Sequence, residues 1–193
     1  GNASGHVRVY EFSGGTWSQL GSDIDGEAAD DYSGHSVSLS SDGTRVAIGA
    51  LNNDGNGSDA GHVRIYELSG GTWSQLGSDI DGEAAADQSG YSVSLSSDGT
   101  RVAIGTYGND GTGSFAGHVR IYEFSGGTWS RLGSDIDGEF ANDYSGYSVS
   151  LSSDGTRVAI GAPYNDGNGN ASGHVRVYEF SGGTWSQLGS DID

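Results

Sequence analysis

Apolar and polar residues alternate along two neighbouring stretches of the chain. Ser36–Ser40 and Arg45–Gly49 each place apolar side chains at every second position, a pattern typical of β-strands that are buried on one face. Asp42-Gly43 lies between them and suits a two-residue type I′ turn, in which both residues have positive φ. The pattern therefore predicts a β-hairpin.

The predicted turn fixes which residues face each other in this hairpin. Leu39 then lies opposite Val46 and Val37 lies opposite Ile48, so both apolar pairs are on one side of the hairpin. The other side carries only small residues, namely Ser36, Ser38, Ala47 and Gly49. We therefore expect another sheet to approach this side closely.

A second hairpin is predicted from His6–Phe12, Gly14-Gly15 and Thr16–Leu20. A turn at the two glycines places Phe12 opposite Trp17, a cross-strand aromatic pair that contributes about 0.2–1 kcal/mol relative to an alanine pair. The same turn places Val9 opposite Leu20, and the later copies keep apolar partners at both positions, in the pairs Leu68–Trp73, Ile65–Leu76, Phe124–Trp129 and Ile121–Leu132.

The hairpins recur with a period of 56 residues. The string GHVR begins at Gly5, Gly61, Gly117 and Gly173. This spacing divides the chain into a partial repeat with only the second hairpin and three further repeats, at residues 1–25, 26–81, 82–137 and 138–193. Because the chain begins and ends inside the pattern, we expect it to be an excerpt of a longer array.

Each repeat is expected to form one four-stranded antiparallel sheet, and no segment shows a helical pattern. A single sheet of this kind cannot bury both of its faces, so it needs its neighbours, as the units of repeat proteins do. Four-stranded units of similar length are typical of β-propeller blades. The sequence thus predicts an all-β fold of tandem blade-like sheets, arranged as a closed propeller or as an open superhelical stack.

Residues 145–180 resemble the FG-GAP repeats of the integrin alpha-chain propeller and of bacterial and algal surface proteins. In that family a Phe-Gly pair opens the first strand, where Ser145-Gly146 stands here, and Gly-Ala-Pro closes the second strand, as Gly161-Ala162-Pro163 does. The resemblance implies a blade-like sheet and a surface role. The family's calcium loop does not carry over, because only Ser41–Thr44 occupies its place and calcium needs roughly six to eight oxygen ligands.

The chain is strongly acidic. Its 26 Asp and Glu residues outnumber 8 Arg, there is no Lys, and the net charge is −18. We therefore expect no binding to nucleic acid or to anionic membrane surfaces, because both require a basic face. No run of about 18 apolar residues exists that could insert into a membrane. The chain has no Cys, which excludes a disulfide framework and thiol catalysis.

Two loops are candidate calcium sites because their oxygen-bearing side chains are closely spaced. In the loop after the second strand such side chains alternate with glycine, at Asp54, Asn56 and Ser58, at Asp110, Thr112 and Ser114, and at Asp166, Asn168 and Asn170. In the loop that joins repeats the acids are Asp23, Asp25, Glu27 and Asp31, then Asp79, Asp81, Glu83 and Asp87, then Asp135, Asp137, Glu139 and Asp143. The alternatives are a glycine-rich turn and a solvated acidic loop. If calcium binds, it raises the melting temperature.

Two further features can be interpreted either as functional sites or as ordinary consequences of composition and packing. Asn-x-Ser sequons at Asn2, Asn56 and Asn170 predict N-glycosylation, but they also arise by chance in a chain rich in Ser and Asn. The tryptophans could form a row on which a carbohydrate stacks, or they could simply be the partners of Phe or Leu across the second hairpin; they are Trp17, Trp73, Trp129 and Trp185.

No catalytic motif is present, and every distinctive feature recurs in several copies. The histidines that open a strand in each repeat are expected to be packing or surface residues. We therefore predict a non-enzymatic extracellular or cell-surface structural protein, as a filament or adhesin component, whose partners are copies of itself. The alternative is a β-propeller that binds protein or glycan ligands, with calcium taking part in binding.

Overall fold

The computed structural model describes residues 3–193, in which β-strands are joined by turns and loops. The strands are β1 (His6–Val7), β2 (Tyr10–Ser13), β3 (Thr16–Gln19), β4 (Ile24–Asp25), β5 (Ser36–Leu39), β6 (Arg45–Ala50), β7 (His62–Ser69), β8 (Thr72–Gln75), β9 (Ile80–Asp81), β10 (Ser92–Leu95), β11 (Arg101–Thr106), β12 (His118–Ser125), β13 (Thr128–Arg131), β14 (Ile136–Asp137), β15 (Ser148–Leu151), β16 (Arg157–Ala162), β17 (His174–Ser181) and β18 (Thr184–Gln187). Among these residues there is no helix that could cross a membrane.

Each complete repeat forms one antiparallel sheet whose strands follow the chain order. The three sheets have the orders β5-β6-β7-β8, β10-β11-β12-β13 and β15-β16-β17-β18. The partial repeat at the beginning contributes two smaller sheets, β1-β4 and β2-β3. The prediction of an all-β fold made of tandem four-stranded sheets is therefore confirmed.

A two-residue fifth strand extends the first two of these sheets. Ile80 in β9 pairs with Val63 in β7, and Ile136 in β14 pairs with Val119 in β12. This segment was expected to be part of the loop that joins repeats. It is a strand because its isoleucine is buried, with Ile80 only 6% exposed, and backbone pairing satisfies the polar groups on either side.

The first hairpin has the predicted register but not the predicted turn. Val37 faces Ile48 and Leu39 faces Val46. The chain reverses through four residues rather than two, because the Ser40 N–H still donates to the Arg45 carbonyl oxygen at 2.9 Å. Gly43 alone has a positive φ, 69°. The type I′ turn at Asp42-Gly43 was therefore wrong, and the register survives because both loops are centred on the same residue pair.

The second hairpin is as predicted. Phe12 faces Trp17, and the corresponding pairs recur in the later repeats. Both turn glycines adopt the left-handed conformation that a two-residue hairpin turn requires, with φ of 59° at Gly14 and 84° at Gly15.

The hydrophobic cores lie between successive sheets. Val63 and Ile65 of one sheet pack with Val102 and Ile104 of the next, and all four are at most 1% exposed. The other two cores are built in the same way, from Val9, Ile24, Val46 and Ile48 and from Val119, Ile121, Val158 and Ile160. The first two complete sheets therefore contribute to a core on both of their faces, and the third contributes to one core within the described residues. Within residues 3–193 the sheets form an open stack.

Candidate functional site

The junction between successive sheets begins with a close approach of two backbones. Ser36 donates its hydroxyl to the Gly90 carbonyl oxygen at 2.7 Å, and Ser38 accepts from the Leu95 N–H at 2.9 Å. A Cβ on Gly49 would lie 2.1 Å from that same Gly90 oxygen. The small residues on this side of the first hairpin therefore permit the close approach that the sequence predicted.

Each complete repeat also inserts a tryptophan into the preceding repeat. The Trp73 indole N–H donates to the Leu20 carbonyl oxygen at 2.8 Å, and the ring lies over Gly21, where a Cβ would be 2.8 Å from Trp73 Cδ1. Gly21 has a φ of 70°, so both its conformation and its neighbour favour glycine. The same contacts join Trp129 to Leu76 and Gly77, and Trp185 to Leu132 and Gly133.

The interpretation of the tryptophans as a carbohydrate-stacking row is wrong for the inserted rings. Trp73 is 9% exposed and Trp185 is 7% exposed, so neither presents a face to a ligand. Trp129 is half-buried, and Trp17 of the partial repeat is exposed. The rings instead pack against the facing apolar side chain across the hairpin, for example Trp129 against Phe124 at a centroid distance of 5.1 Å.

A buried arginine links two successive loops that join repeats. Arg120 is 8% exposed and binds Glu83 from the loop before its sheet and Asp135 from the loop after it. Its Nε and one terminal nitrogen lie 2.9 and 2.8 Å from the two Asp135 carboxylate oxygens. Burial opposes ionisation of Asp135, but Arg120 and Arg131 together hold its pKa below the usual range. Arg176 repeats this bridge with Glu139 and Asp191.

A histidine stands beside each of these bridges. His62, His118 and His174 are all buried, which agrees with the expected packing role. Each lies with a glutamate and an aspartate in a group whose ligand atoms are within 4.8 Å of one another: Glu27, His62 and Asp79; Glu83, His118 and Asp135; Glu139, His174 and Asp191. In two of these groups an arginine already pairs with both carboxylates. We therefore assign these two groups to electrostatic linkage of the repeats.

The acids of each loop that joins repeats bind different partners. Asp23 forms a bidentate pair with Arg8, which lowers its pKa to about 2, and Glu27 lies 3.1 Å from Arg64. Asp31 is buried and accepts from the Asn53 amide at 3.1 Å. Asp25 lies in β4. The four acids predicted as one calcium site are therefore not directed at a common position. Calcium binding here stays a prediction, as it does at the equivalent acids of later repeats.

In the glycine-rich loop, the predicted calcium ligands stabilise the loop itself. Asp54 accepts from the Asp59 N–H at 2.8 Å, and Asp110 and Asp166 accept equivalent bonds. Asn56 and Thr112 donate to the carbonyl oxygens of Gly82 and Gly138 in the next loop, each at 2.8 Å. These bonds account for the recurrence of the pattern, and calcium binding at this loop stays a prediction.

The predicted glycosylation sites differ in their surroundings. The Asn56 amide donates to the Gly82 carbonyl oxygen and, at 3.2 Å, to that of Glu83, so a glycan there would break both bonds. Asn170 is exposed. Asn2 lies outside the described residues. Glycosylation stays a prediction at all three positions.

One surface was missed by the sequence analysis. We call it the aromatic surface, and it consists of His35, Tyr91, Tyr107, Phe115, Tyr144, Tyr147 and Tyr164. Its rings come from the loop that joins repeats and from the loop after the second strand, in three different repeats. Tyr107 lies 4.5 Å from Tyr91 and 5.4 Å from Tyr144 between ring centroids, so it joins two repeats.

Two solved structures from Bacteroides resemble this fold. One, a candidate 6-phosphogluconolactonase from Bacteroides uniformis, has a TM-score of 0.64 and 14% identity over 97% of this chain and 48% of its own. The other, a candidate 6-phosphogluconolactonase from Bacteroides fragilis, has a TM-score of 0.57 and 15% identity over 87% of this chain and 41% of its own. This chain therefore spans about half the length of these structures or less, and at these identities the likeness concerns the fold alone.

The sequence itself matches a repeat family. No curated protein matches the chain. The family model for the FG-GAP repeat matches residues 23–66 and 135–178. These two segments are offset by two periods, and residues 79–122 between them have the same pattern of strands and turns. The two matched segments are therefore consistent with an FG-GAP repeat family.

Proposed function

We propose that this chain is part of a non-enzymatic structural repeat protein, located outside the cell or on its surface, in which the stacking of repeats is the function. The observation that carries the proposal is that every hydrophobic core lies between two sheets. A sheet of this kind gains its stability from its neighbours, so stability grows with the number of repeats. Such a unit suits a filament, a cell wall or an adhesin stalk.

The junctions support this role because they are nearly interchangeable. The indole of the inserted tryptophan donates to a carbonyl oxygen at 2.8, 2.7 and 2.8 Å in three successive junctions. A further copy with the same sequence could add through the same contacts. Copies of the same repeat, in a longer chain or in another molecule, are therefore the proposed partners.

The charge of the chain argues against the activity named for the two solved structures. A phosphorylated sugar lactone is an anion, and a protein with a net charge of −18 repels it over most of its surface. The only positive side chains are 8 arginines, and those at the junctions are engaged by carboxylates. We therefore propose a structural role rather than hydrolysis.

The experiment compares proteins made of one, two and three repeats, beginning with residues 26–81. We expect the single repeat to be unfolded or associated, and the melting temperature and the cooperativity of unfolding to rise with each added repeat. Electron microscopy of the native material is expected to show continuous fibres or rods. A single repeat that folds cooperatively as a soluble monomer would remove the basis of the proposal.

A further inference from the structure

One group of ionisable side chains lies where the loops before and after the first complete sheet meet its third strand, and we call it the His62 group. It consists of Glu27, His62 and Asp79, whose ligand atoms all lie within 4.8 Å of one another. His62 opens β7, Glu27 belongs to the loop before the sheet, and Asp79 belongs to the loop after it. Three separate segments therefore bring one imidazole and two carboxylates together.

The His62 group lies inside the stack rather than at one of its ends. The partial repeat precedes its sheet, and a second complete sheet follows it. The equivalent group of that second sheet has the same surroundings, with His118 3% exposed against 1% for His62. The glutamate side chains are 47% exposed at Glu27 and 51% exposed at Glu83. Solvent therefore reaches the carboxylates of this group although a neighbouring sheet is present on each side.

The imidazole of His62 is directed at a carboxylate without forming a hydrogen bond to it. Its Nδ1 lies 3.8 Å from Asp79 Oδ2, which is too far for a hydrogen bond, and within residues 3–193 the ring forms none to another residue. Two ligands of a tetrahedral zinc ion are about 3.3 Å apart, because each metal–ligand bond is roughly 2.0–2.1 Å long. The observed separation is therefore closer to that of two metal ligands than to that of a hydrogen-bonded pair.

The ring of His62 is also in the protonation state that binds metal. Burial lowers the pKa of His62, and the nearby Arg64 acts in the same direction. In neutral solution the imidazole is therefore uncharged, and one ring nitrogen has a free lone pair.

The arginine of this group leaves one carboxylate unpaired. Arg64 lies 3.1 Å from Glu27 and donates to the backbone carbonyl oxygen of Asp25 at 3.3 Å. Within the described part of the chain it does not pair with Asp79, which accepts a hydrogen bond from the neutral amide of Gln75. Two carboxylates and one guanidinium give the group a net negative charge.

The next group along the chain has no such excess of negative charge. Asp135, the equivalent of Asp79, pairs with both Arg120 and Arg131, and Arg120 also pairs with Glu83. Arg131 occupies the position at which the first complete sheet has Gln75. Two carboxylates are thus balanced by two guanidinium groups, and this difference from the His62 group is written in the sequence.

From this geometry and charge we propose that Glu27, His62 and Asp79 bind a divalent transition-metal ion, with Zn²⁺ as the fitting example. One imidazole and two carboxylates are ligands that zinc accepts, and water takes the fourth position. Ca²⁺ fits poorly, because it needs roughly six to eight ligands and all of them oxygen. Glu27 has two carboxylate oxygens, so it can pair with Arg64 through one and bind the ion through the other. The site is independent of the proposed scaffold function, because it adds a ligand that stacking does not require.

The test is calorimetric titration of the full 193-residue chain, produced without a polyhistidine tag, with ZnCl₂ at neutral pH. About one equivalent of zinc is expected to bind at the His62 group, and an excess of CaCl₂ is expected not to displace it. His62→Gln is expected to weaken this binding by at least about tenfold, because it removes the nitrogen ligand. Co²⁺ in place of zinc is expected to give visible absorption bands that His62→Gln abolishes.

Two matched variants separate this site from zinc binding elsewhere on the acidic surface. His118→Gln removes the equivalent histidine of the next group and is expected to leave the zinc affinity unchanged, because Arg120 and Arg131 already pair with the carboxylates there. Gln75→Arg introduces the arginine that the next group has at this position. It is expected to weaken zinc binding by about tenfold although all three ligands remain, because a guanidinium then competes for Asp79.

Circular dichroism confirms that each variant is folded. The proposal is overturned if zinc does not bind, if calcium displaces it, if His118→Gln weakens binding as much as His62→Gln does, or if Gln75→Arg leaves the affinity unchanged. The stacking of repeats is measured separately, by the melting temperatures of proteins with one, two and three repeats in the presence of EDTA. Failure of the metal site and failure of the scaffold function are therefore distinguishable.

Discussion

The indole N–H of Trp73 donates to the carbonyl oxygen of Leu20, 53 residues earlier, at a distance of 2.8 Å. This bond crosses from one repeat to the preceding one, and it directs a large apolar ring into the space above Gly21. Because the donor is satisfied, the ring can be buried without leaving an unpaired polar group. The tryptophan thus ties the outer part of each sheet to its neighbour.

Replacing this ring should destabilise the chain in proportion to its burial. Trp73→Ala is expected to lower the free energy of unfolding by about 3–5 kcal/mol, because it leaves a cavity in a junction core. Trp17→Ala is the control, since Trp17 occupies the equivalent position of its hairpin, opposite Phe12 where Trp73 is opposite Leu68, but is 68% exposed. Urea unfolding followed by circular dichroism measures both. Equal losses in the two variants would show that the insertion does not stabilise the junction.

The glycine beneath the ring offers a second, independent measurement. Gly77 and Gly189 have φ of 79° and 72°, so an alanine at either position carries the same backbone strain, about 1 kcal/mol. Only at Gly77 would the new Cβ meet a ring, 2.8 Å from Trp129 Cδ1, whereas nothing lies within 4 Å of a Cβ at Gly189. Gly77→Ala is therefore expected to cost about 1–3 kcal/mol more than Gly189→Ala.

The comparison of Gly77→Ala with Gly189→Ala separates the effect of packing against the tryptophan from the effect of backbone strain. Differential scanning calorimetry of the two variants is sufficient, because the difference between their melting temperatures removes the strain that they share. If Gly189→Ala lowered the melting temperature as much as Gly77→Ala, close packing beneath the tryptophan would not be the reason for glycine at this position.

The buried Arg120 should contribute more to the stability of the chain than the exposed Arg8. Arg120→Ala leaves Glu83 and Asp135 without their shared cation, but both carboxylates reach solvent, so we expect a loss of about 1–3 kcal/mol from the broken hydrogen bonds to charged groups. Arg8→Ala breaks a pair with Asp23 that is exposed to solvent, and its effect is expected to be small. Thermal unfolding at low and high salt measures both. A deficit in Arg120→Ala no greater than that in Arg8→Ala would contradict the assignment of Arg120 as a link between loops.

The sequence predicts local features well and remote contacts poorly. The pairing of Val37 with Ile48 follows from alternation around a short turn, which is information contained within about a dozen residues. The strand at Ile80–Asp81 could not be predicted, because two residues have no periodicity and the pairing depends on Val63. The turn at Asp42 was wrong because two- and four-residue loops give the same register.

The same contrast between local features and remote contacts applies to the arginine bridges and to the aromatic surface. Arg120 binds Glu83, which precedes it by 37 residues, and no short motif connects the two. Tyr107 and Tyr144 meet in the aromatic surface. They belong to different loops of different repeats, so an alignment of the repeats with one another does not bring them together. A signal was nevertheless present, because the ring positions vary among copies that are otherwise nearly identical.

The buried histidines should make the stack sensitive to moderately acidic pH. Burial, together with the adjacent Arg120, lowers the pKa of His118 to about 4, although Asp135 and Glu83 oppose this effect. An unfolded histidine has a pKa of about 6.5. Above pH 6.5 both states are neutral, so stability is unaffected. Between about pH 6.5 and 4 only the unfolded chain takes up the proton, so the free energy of unfolding falls as the pH falls, by on the order of 3 kcal/mol for this residue at pH 4.

This loss is separated in pH from that of the carboxylates. Asp135, whose folded pKa is lowered, stabilises the folded state above the unfolded value of about 3.9 and loses that contribution only as the pH falls further. Urea titrations at pH values from 7.5 to 4.5 give the free energy of unfolding as a function of pH. The slope of this dependence is therefore expected to be smaller in His118→Gln than in the unmodified chain. His6→Gln is the control, because His6 opens the equivalent strand but is exposed. A slope that is unchanged in His118→Gln, or reduced equally in His6→Gln, would show that the buried histidine does not couple protonation to stacking.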